Sequence, residues 1–128
     1  MLMKASKSYM RIGIVEDDPS ISGLLSETLE RIGHTPNLYP DGWSFLEALT
    51  NDQNAEPFDR VVVDVLLPGS ISGLEVINYL RITRPNLPIV VVSAIDSDNL
   101  ASIQRQFPGI KVLHKPFHLT DLQTSIEA

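Results

Sequence analysis

Residues 58–73 read FDRVVVDVLLPGSISG, from Phe58 to Gly73. Val61, Val62 and Val63 form an unbroken β-branched run, the pattern of a strand covered on both faces, as strands of parallel sheets are. Asp64 follows at once, and Pro68 and Gly69 mark a loop beyond it. A buried strand, read here as Phe58 to Val63, therefore delivers a carboxylate at its mouth. Three more segments have the same apolar, Val- and Ile-rich character: Met10 to Val15, Leu87 to Val92 and Ile110 to Leu113. A fifth, His34 to Tyr39, is weaker. Its Pro36 cannot donate to a ladder, so that strand belongs at an edge.

Helical periodicity fills the gaps. Ile21, Leu24, Leu25, Leu29 and Ile32 share one face, with Asp18 placed to cap the helix, Pro19 at its first position and Gly33 at its stop. Asp41 can cap a second helix carrying Phe45, Leu46 and Leu49. A third spans Gly73 to Thr83, a fourth opens at Asp96 or Ser97 and carries Leu100 and Ile103, and a short last one covers Thr120 to Ile126. Five strand–helix repeats joined by right-handed crossovers make a doubly wound α/β fold with a five-stranded parallel sheet and five helices. Residues 1–9 read as a disordered leader, residues 10–128 as the domain, and Asn51 to Pro57 as a polar loop.

The chain has 128 residues and a formal net charge of -6, enough for one core and against any general attraction to nucleic acid or an anionic membrane. There is no cysteine, which removes disulfides, thiolate metal sites and thiol nucleophiles. Apolar runs fall well short of the ~20 residues of a membrane helix.

In an open parallel sheet, ligands bind beyond the carboxyl ends of the strands. There the first strand places Glu16, Asp17 and Asp18, the third Asp64, the fourth Ser93, and the fifth His114 and Lys115. Singly these have plain explanations: Asp18 as a helix cap, His114 as a strand-end histidine, Ser93 as a turn residue, Lys115 as a solvated charge. Jointly they bring acids, a base and a hydroxyl to one place. Carboxylates of Asp17 and Asp64 meeting there repel unless a cation or a proton intervenes, and a hard divalent ion such as magnesium is the simplest solution.

The ordered set of Glu16-Asp17 in IVEDDP, Asp64 in VVVDVLLPG, Ser93-Ala94 in VVVSAI and Lys115-Pro116-Phe117 resembles the CheY-like receiver domain of two-component response regulators. The resemblance implies a flavodoxin-like sheet of strand order 2-1-3-4-5 and a phosphoacceptor role for Asp64, served by a sensor histidine kinase or a histidine phosphotransfer protein. It implies Mg2+ held directly by Asp17 and Asp64, through water by Glu16, and by the backbone carbonyl of Leu66. It further implies that Lys115, the Ser93 hydroxyl and the Ala94 N–H receive phosphoryl oxygens, and that the Lys115-Pro116 bond is cis. Such a domain is a signalling module that assists its own phosphoryl transfer and dephosphorylation. Its expected setting is cytoplasmic, with a downstream effector or output domain and a homodimer through the fourth helix, fifth strand and fifth helix, and no direct contact with nucleic acid or membrane. The alternative is a receiver-like protein-interaction module that is never phosphorylated.

Two features depart from the family pattern. Val112 stands where an aromatic switch residue is usual, which shifts the switch towards Ser93, and the loop from Leu67 to Gly73 is longer by one residue and lacks an acid before its last glycine. Leu66 and Ile95, flanking the acceptor, are apolar and are expected to shield an acyl phosphate from water. A haloacid-dehalogenase-type phosphatase would need an aspartate where Leu66 stands. A nucleotide or flavin module would need a glycine-rich loop where three carboxylates stand.

Overall fold

In the computed structural model, which describes residues 9–51 and 57–128, the valine run is the middle of the sheet. The elements are β1 Arg11–Val15, α1 Pro19–Arg31, β2 Thr35–Tyr39, α2 Gly42–Asn51, β3 Arg60–Asp64, α3 Gly73–Thr83, β4 Ile89–Ser93, α4 Ser97–Gln106, β5 Lys111–His114 and α5 Leu119–Glu127. The strands are all parallel in the order β2-β1-β3-β4-β5, so β3 lies between β1 and β4 and the Pro36-bearing β2 is an edge. This is the doubly wound, flavodoxin-like arrangement expected. Successive valines of β3 face opposite layers. Val61 and Val63 join a core with Phe45, Ile77, Leu80 and Leu100 from α2, α3 and α4, while Val62 joins Leu25, Leu29, Leu122 and Ile126 from α1 and α5.

Most strands begin and end one or two residues later than the apolar runs suggest. Phe58, Leu87 and Ile110 are buried yet precede their strands, because apolarity records burial and pairing needs a neighbour in register. Similarly, α5 runs one residue further at each end than read. Residues 1–8 of the leader and 52–56 of the polar loop lie outside the described residues, while Asn51 closes α2 and Pro57 is buried.

Helix starts follow local chemistry. Asp18 accepts from the Ser20 N–H at 2.9 Å, Asp41 from Ser44 at 2.7 Å and Asp96 from Asn99 at 2.8 Å. Ser72 and Glu75 form a reciprocal capping box at the start of α3. At the other pole of the sheet, strand residues grip the end of α5. Arg60 Nε donates to the Ile126 carbonyl at 3.0 Å and Lys111 Nζ to that of Ser125 at 3.2 Å. His34 Nδ1 accepts from the Met10 N–H at 3.1 Å, which leaves its Nε2 proton facing the Glu127 carboxylate at 3.2 Å. By contrast, the α5 N-cap, His118, makes no side-chain capping bond. No helix among the described residues is long and apolar enough to cross a membrane.

Gly73 opens α3 against the end of β3. A Cβ there would run into the Asp64 carbonyl and the Val65 backbone, neither of which can rotate away. Gly23, inside α1, has open space where its Cβ would be. Gly73→Ala is therefore expected to cost about 1–3 kcal/mol of stability through overpacking, whereas Gly23→Ala should add about 0.5–1 kcal/mol through helix propensity. Denaturant unfolding of both variants checks the opposite signs.

Candidate functional site

The register pairs Val15 with Val63, so Glu16, the next residue of β1, emerges beside Asp64 at the end of β3. Both are nearly enclosed, at 3% and 4% exposure. On the far side of β4, the Lys115 N–H donates to the Ser93 carbonyl at 2.8 Å and carries the chain off β5 towards the same point, across a cis Lys115-Pro116 bond. Lys115 Nζ donates to Glu16 Oε1 at 2.6 Å and to Asp64 Oδ2 at 2.8 Å. The remaining oxygens meet the backbone: Glu16 Oε2 accepts from the Asp18 N–H at 3.2 Å, and Asp64 Oδ1 from the Leu66 N–H at 3.0 Å. Asp17 is exposed on the rim, and oxygens of Glu16, Asp17 and Asp64 lie within 4.8 Å of one another.

Three acids facing one ammonium leave the site with an excess of negative charge. Burial raises the pKa of Glu16; hydrogen bonds from Lys115 and the Asp18 amide oppose this, while the charge of Asp64 adds to it. Burial by itself would lower Lys115, but hydrogen bonds to Asp64 and Glu16, with their charges, outweigh it and hold the ammonium above its ordinary 10.5. An all-oxygen cluster of this kind fits a hard divalent cation.

Other expected participants are placed less directly. Ser93 is fully buried, and its hydroxyl oxygen accepts from the Ile95 N–H at 3.3 Å; it makes no hydrogen bond to Asp64 or Lys115. Ala94 is exposed at the rim. Leu66 is 58% exposed beside the acceptor, and Ile95 packs against the α3–α4 core. Val112 is half-buried in that same core. His114 is exposed and stands outside the carboxylate cluster, and Asp18 serves as a cap, as read.

Two features escaped the sequence reading. One is the direct Glu16–Lys115 pair, which spans 99 positions. The other is an apolar groove of about 370 Å³ next to the site, lined by Ile21, Leu24 and Leu25 of α1 with Ala94, Lys115, Pro116 and Phe117. The signal for it was present, since Ile21 and Leu24 extend the apolar face of α1 beyond what its core side needs.

Residues 12–127 match the sequence profile of the response regulator receiver domain. Response regulator MprA of Mycobacterium ulcerans is 34% identical over 119 residues, covering 93% of this chain and 49% of the relative. Transcriptional regulatory protein QseB of Haemophilus influenzae is 31% identical over 119 residues, covering 93% and 52% respectively. The chain thus spans about half the length of these curated relatives. Among solved structures, response regulator DrrB of Thermotoga maritima is similar with a TM-score of 0.76 at 28% identity, over 91% of this chain and 50% of that one. Chemotaxis protein CheY4 of Vibrio cholerae shares the fold with a TM-score of 0.79 at 22% identity, over 93% and 97%.

The raised pKa of Glu16 means that its contribution to stability is full below its ordinary 4.5 and is lost as pH rises through the folded value. The contribution of Lys115 is present below 10.5 and is lost as pH rises through its still higher folded value. Lys115→Gln strands two buried carboxylates and should cost about 3 kcal/mol at neutral pH. The cost should shrink towards pH 5, where Glu16 takes up a proton more readily. Unfolding curves of both chains across this range check the trend; equal midpoints at pH 7 would contradict it.

Proposed function

Because the chain belongs to the response regulator receiver domain family of two-component signalling, we propose that Asp64 accepts a phosphoryl group from a phosphohistidine on a sensor kinase or phosphotransfer protein. The observation that carries this reading is the placement of Asp64: enclosed at the mouth of the central strand, with one oxygen on Lys115 and the other turned by the Leu66 N–H. In the step, a carboxylate oxygen of Asp64 attacks phosphorus, the P–N bond breaks, and the imidazole leaves with its electron pair. Little covalent help is needed, and positioning with charge neutralisation does most of the work.

Lys115 is placed to follow the transferred oxygens. Ser93 accepts from the Ile95 N–H, so its own proton is available to a phosphoryl oxygen, with the Ala94 N–H as a further donor. Asp17 and Asp64 would hold magnesium directly, with Glu16 through water and the Leu66 carbonyl. When bound, the ion offsets the negative charge of the carboxylates and the phosphoryl group. The apolar groove beside Lys115 and Ala94 suits a helix that presents the donor histidine. With Val112 packed in the core, the signal runs from Ser93 into α4 and the face made by α4, β5 and α5, where an effector, an output domain or a second copy docks. Residues 10–128 act as the unit, in the cytoplasm. Exposed Leu66 and Ile95 shield the acyl phosphate and prolong the signal.

Incubation with acetyl phosphate and magnesium should add one phosphoryl group by mass, and none to Asp64→Asn. Substituting Leu66 with Asn and Ile95 with Glu should shorten the lifetime of the label by about one to two orders of magnitude. An unlabelled native chain beside a labelled control receiver would instead favour an interaction module that is never phosphorylated.

Calorimetric titration should show a weak magnesium site, with affinity at least tenfold lower in Asp17→Ala and the fold retained. Unchanged affinity in that variant would remove Asp17 from the ligand set.

A further inference from the structure

At the opposite pole of the sheet from Asp64, the loop between α3 and β4 walls an open cavity of about 340 Å³. Its lining includes Thr83, Arg84 and Asn86 from the loop, with Phe58 and Asp59 from the chain entering β3. The loop is held in shape from behind. Arg81 Nη1 donates to the carbonyls of Pro85 at 3.4 Å and Leu87 at 3.3 Å, the Leu87 N–H donates to the Arg84 carbonyl at 3.1 Å, and the Pro88 carbonyl accepts from the Val61 N–H at 3.1 Å. The cavity is thus built from a constrained backbone.

Arg84 is the unexplained residue in it. Its Nε is buried without a hydrogen-bond partner, alone in this among the described side chains, and its Nη1 has only a long contact of 3.4 Å to the Thr83 hydroxyl. The chain carries sixteen acidic residues against ten basic ones, yet no carboxylate lies within ion-pair distance of Arg84 among the described residues. Asp59, in the same lining, has one carboxylate oxygen committed to the Arg11 N–H at 2.8 Å. A buried guanidinium N–H costs free energy until it is paired, and the complement of a guanidinium edge is a planar two-oxygen anion. The nearby negative charge of Asp59 disfavours a dianion such as phosphate and favours a group of single charge.

We propose that this cavity is a binding site for one carboxylate group, held side-on by the Nε edge of Arg84. The site is remote from Asp64 and does not depend on phosphorylation. The carboxylate belongs either to a small free acid or to an acidic side chain of a partner.

Amide correlation spectra of the full chain, titrated with sodium acetate against sodium chloride at equal ionic strength, test it. Saturating shifts are expected at the amides of Asp59, Arg84, Asn86 and Leu87, with affinity at least tenfold weaker in both Arg84→Gln and Arg84→Lys. The lysine variant keeps charge and stem but loses the planar edge, so it decides the matter even where the glutamine variant misfolds. Shifts that do not saturate, that chloride reproduces, or that survive in Arg84→Lys would overturn the proposal. A parallel titration with doubly blocked glutamate separates the sources. Binding at least tenfold tighter than acetate supports a protein side chain, and equal binding supports a free acid.

Discussion

One ammonium, that of Lys115, shared between Glu16 and Asp64, is the contact on which the rest of the active pole depends. Parallel strands that end together bring their last residues together, and here the last residues of two adjacent strands are acids. Buried side by side without a cation, they would each carry a penalty of several kcal/mol. The remedy comes from a third strand, beyond β4, whose end is tied to Ser93 by a backbone hydrogen bond. Gly73 completes the arrangement by letting α3 start hard against the strand that carries Asp64. The site is thus electrically tense and geometrically fixed, a combination suited to accepting a divalent cation and an anionic group together.

Much of this was legible because it is local. Continuous Val and Ile runs announced buried parallel strands, Pro36 put its strand at the edge, and Asp18, Asp41 and Asp96 announced helix starts, since a cap needs only a side chain and an amide two or three residues on. The capping box of Ser72 and Glu75 was equally readable from its spacing, though it was not read. Strand limits were less legible, because Phe58, Leu87 and Ile110 are as apolar and as buried as the residues that pair. What the sequence hid was chosen by distance or by backbone. The pairing of Glu16 with Lys115 depends on the whole fold, and the partners of Arg60 and Lys111 are carbonyls, which every residue possesses.

Charge is also sorted along the strands. β1, β3 and β5 begin with Arg11, Arg60 and Lys111, while Glu16 follows β1 and Asp64 closes β3. Cations therefore gather at the entry pole of the sheet and carboxylates at the exit pole. A field of this sense draws a small cation towards the exit pole and eases the approach of an acidic group to the entry pole, whatever the net charge of the whole.

The grip on α5 gives that helix unequal ends. Its last turn is fastened by side chains from β3 and β5 and faces the buried ring of His34, while its first turn has no side-chain cap and begins a few residues after Lys115. Mechanically it is a beam clamped at one end. Displacement of Lys115 as its carboxylate partners change is carried along α5 as a swing about the clamped turn, largest beside the carboxylates and smallest at Ile126. The helix converts a shift of one ammonium into an angle.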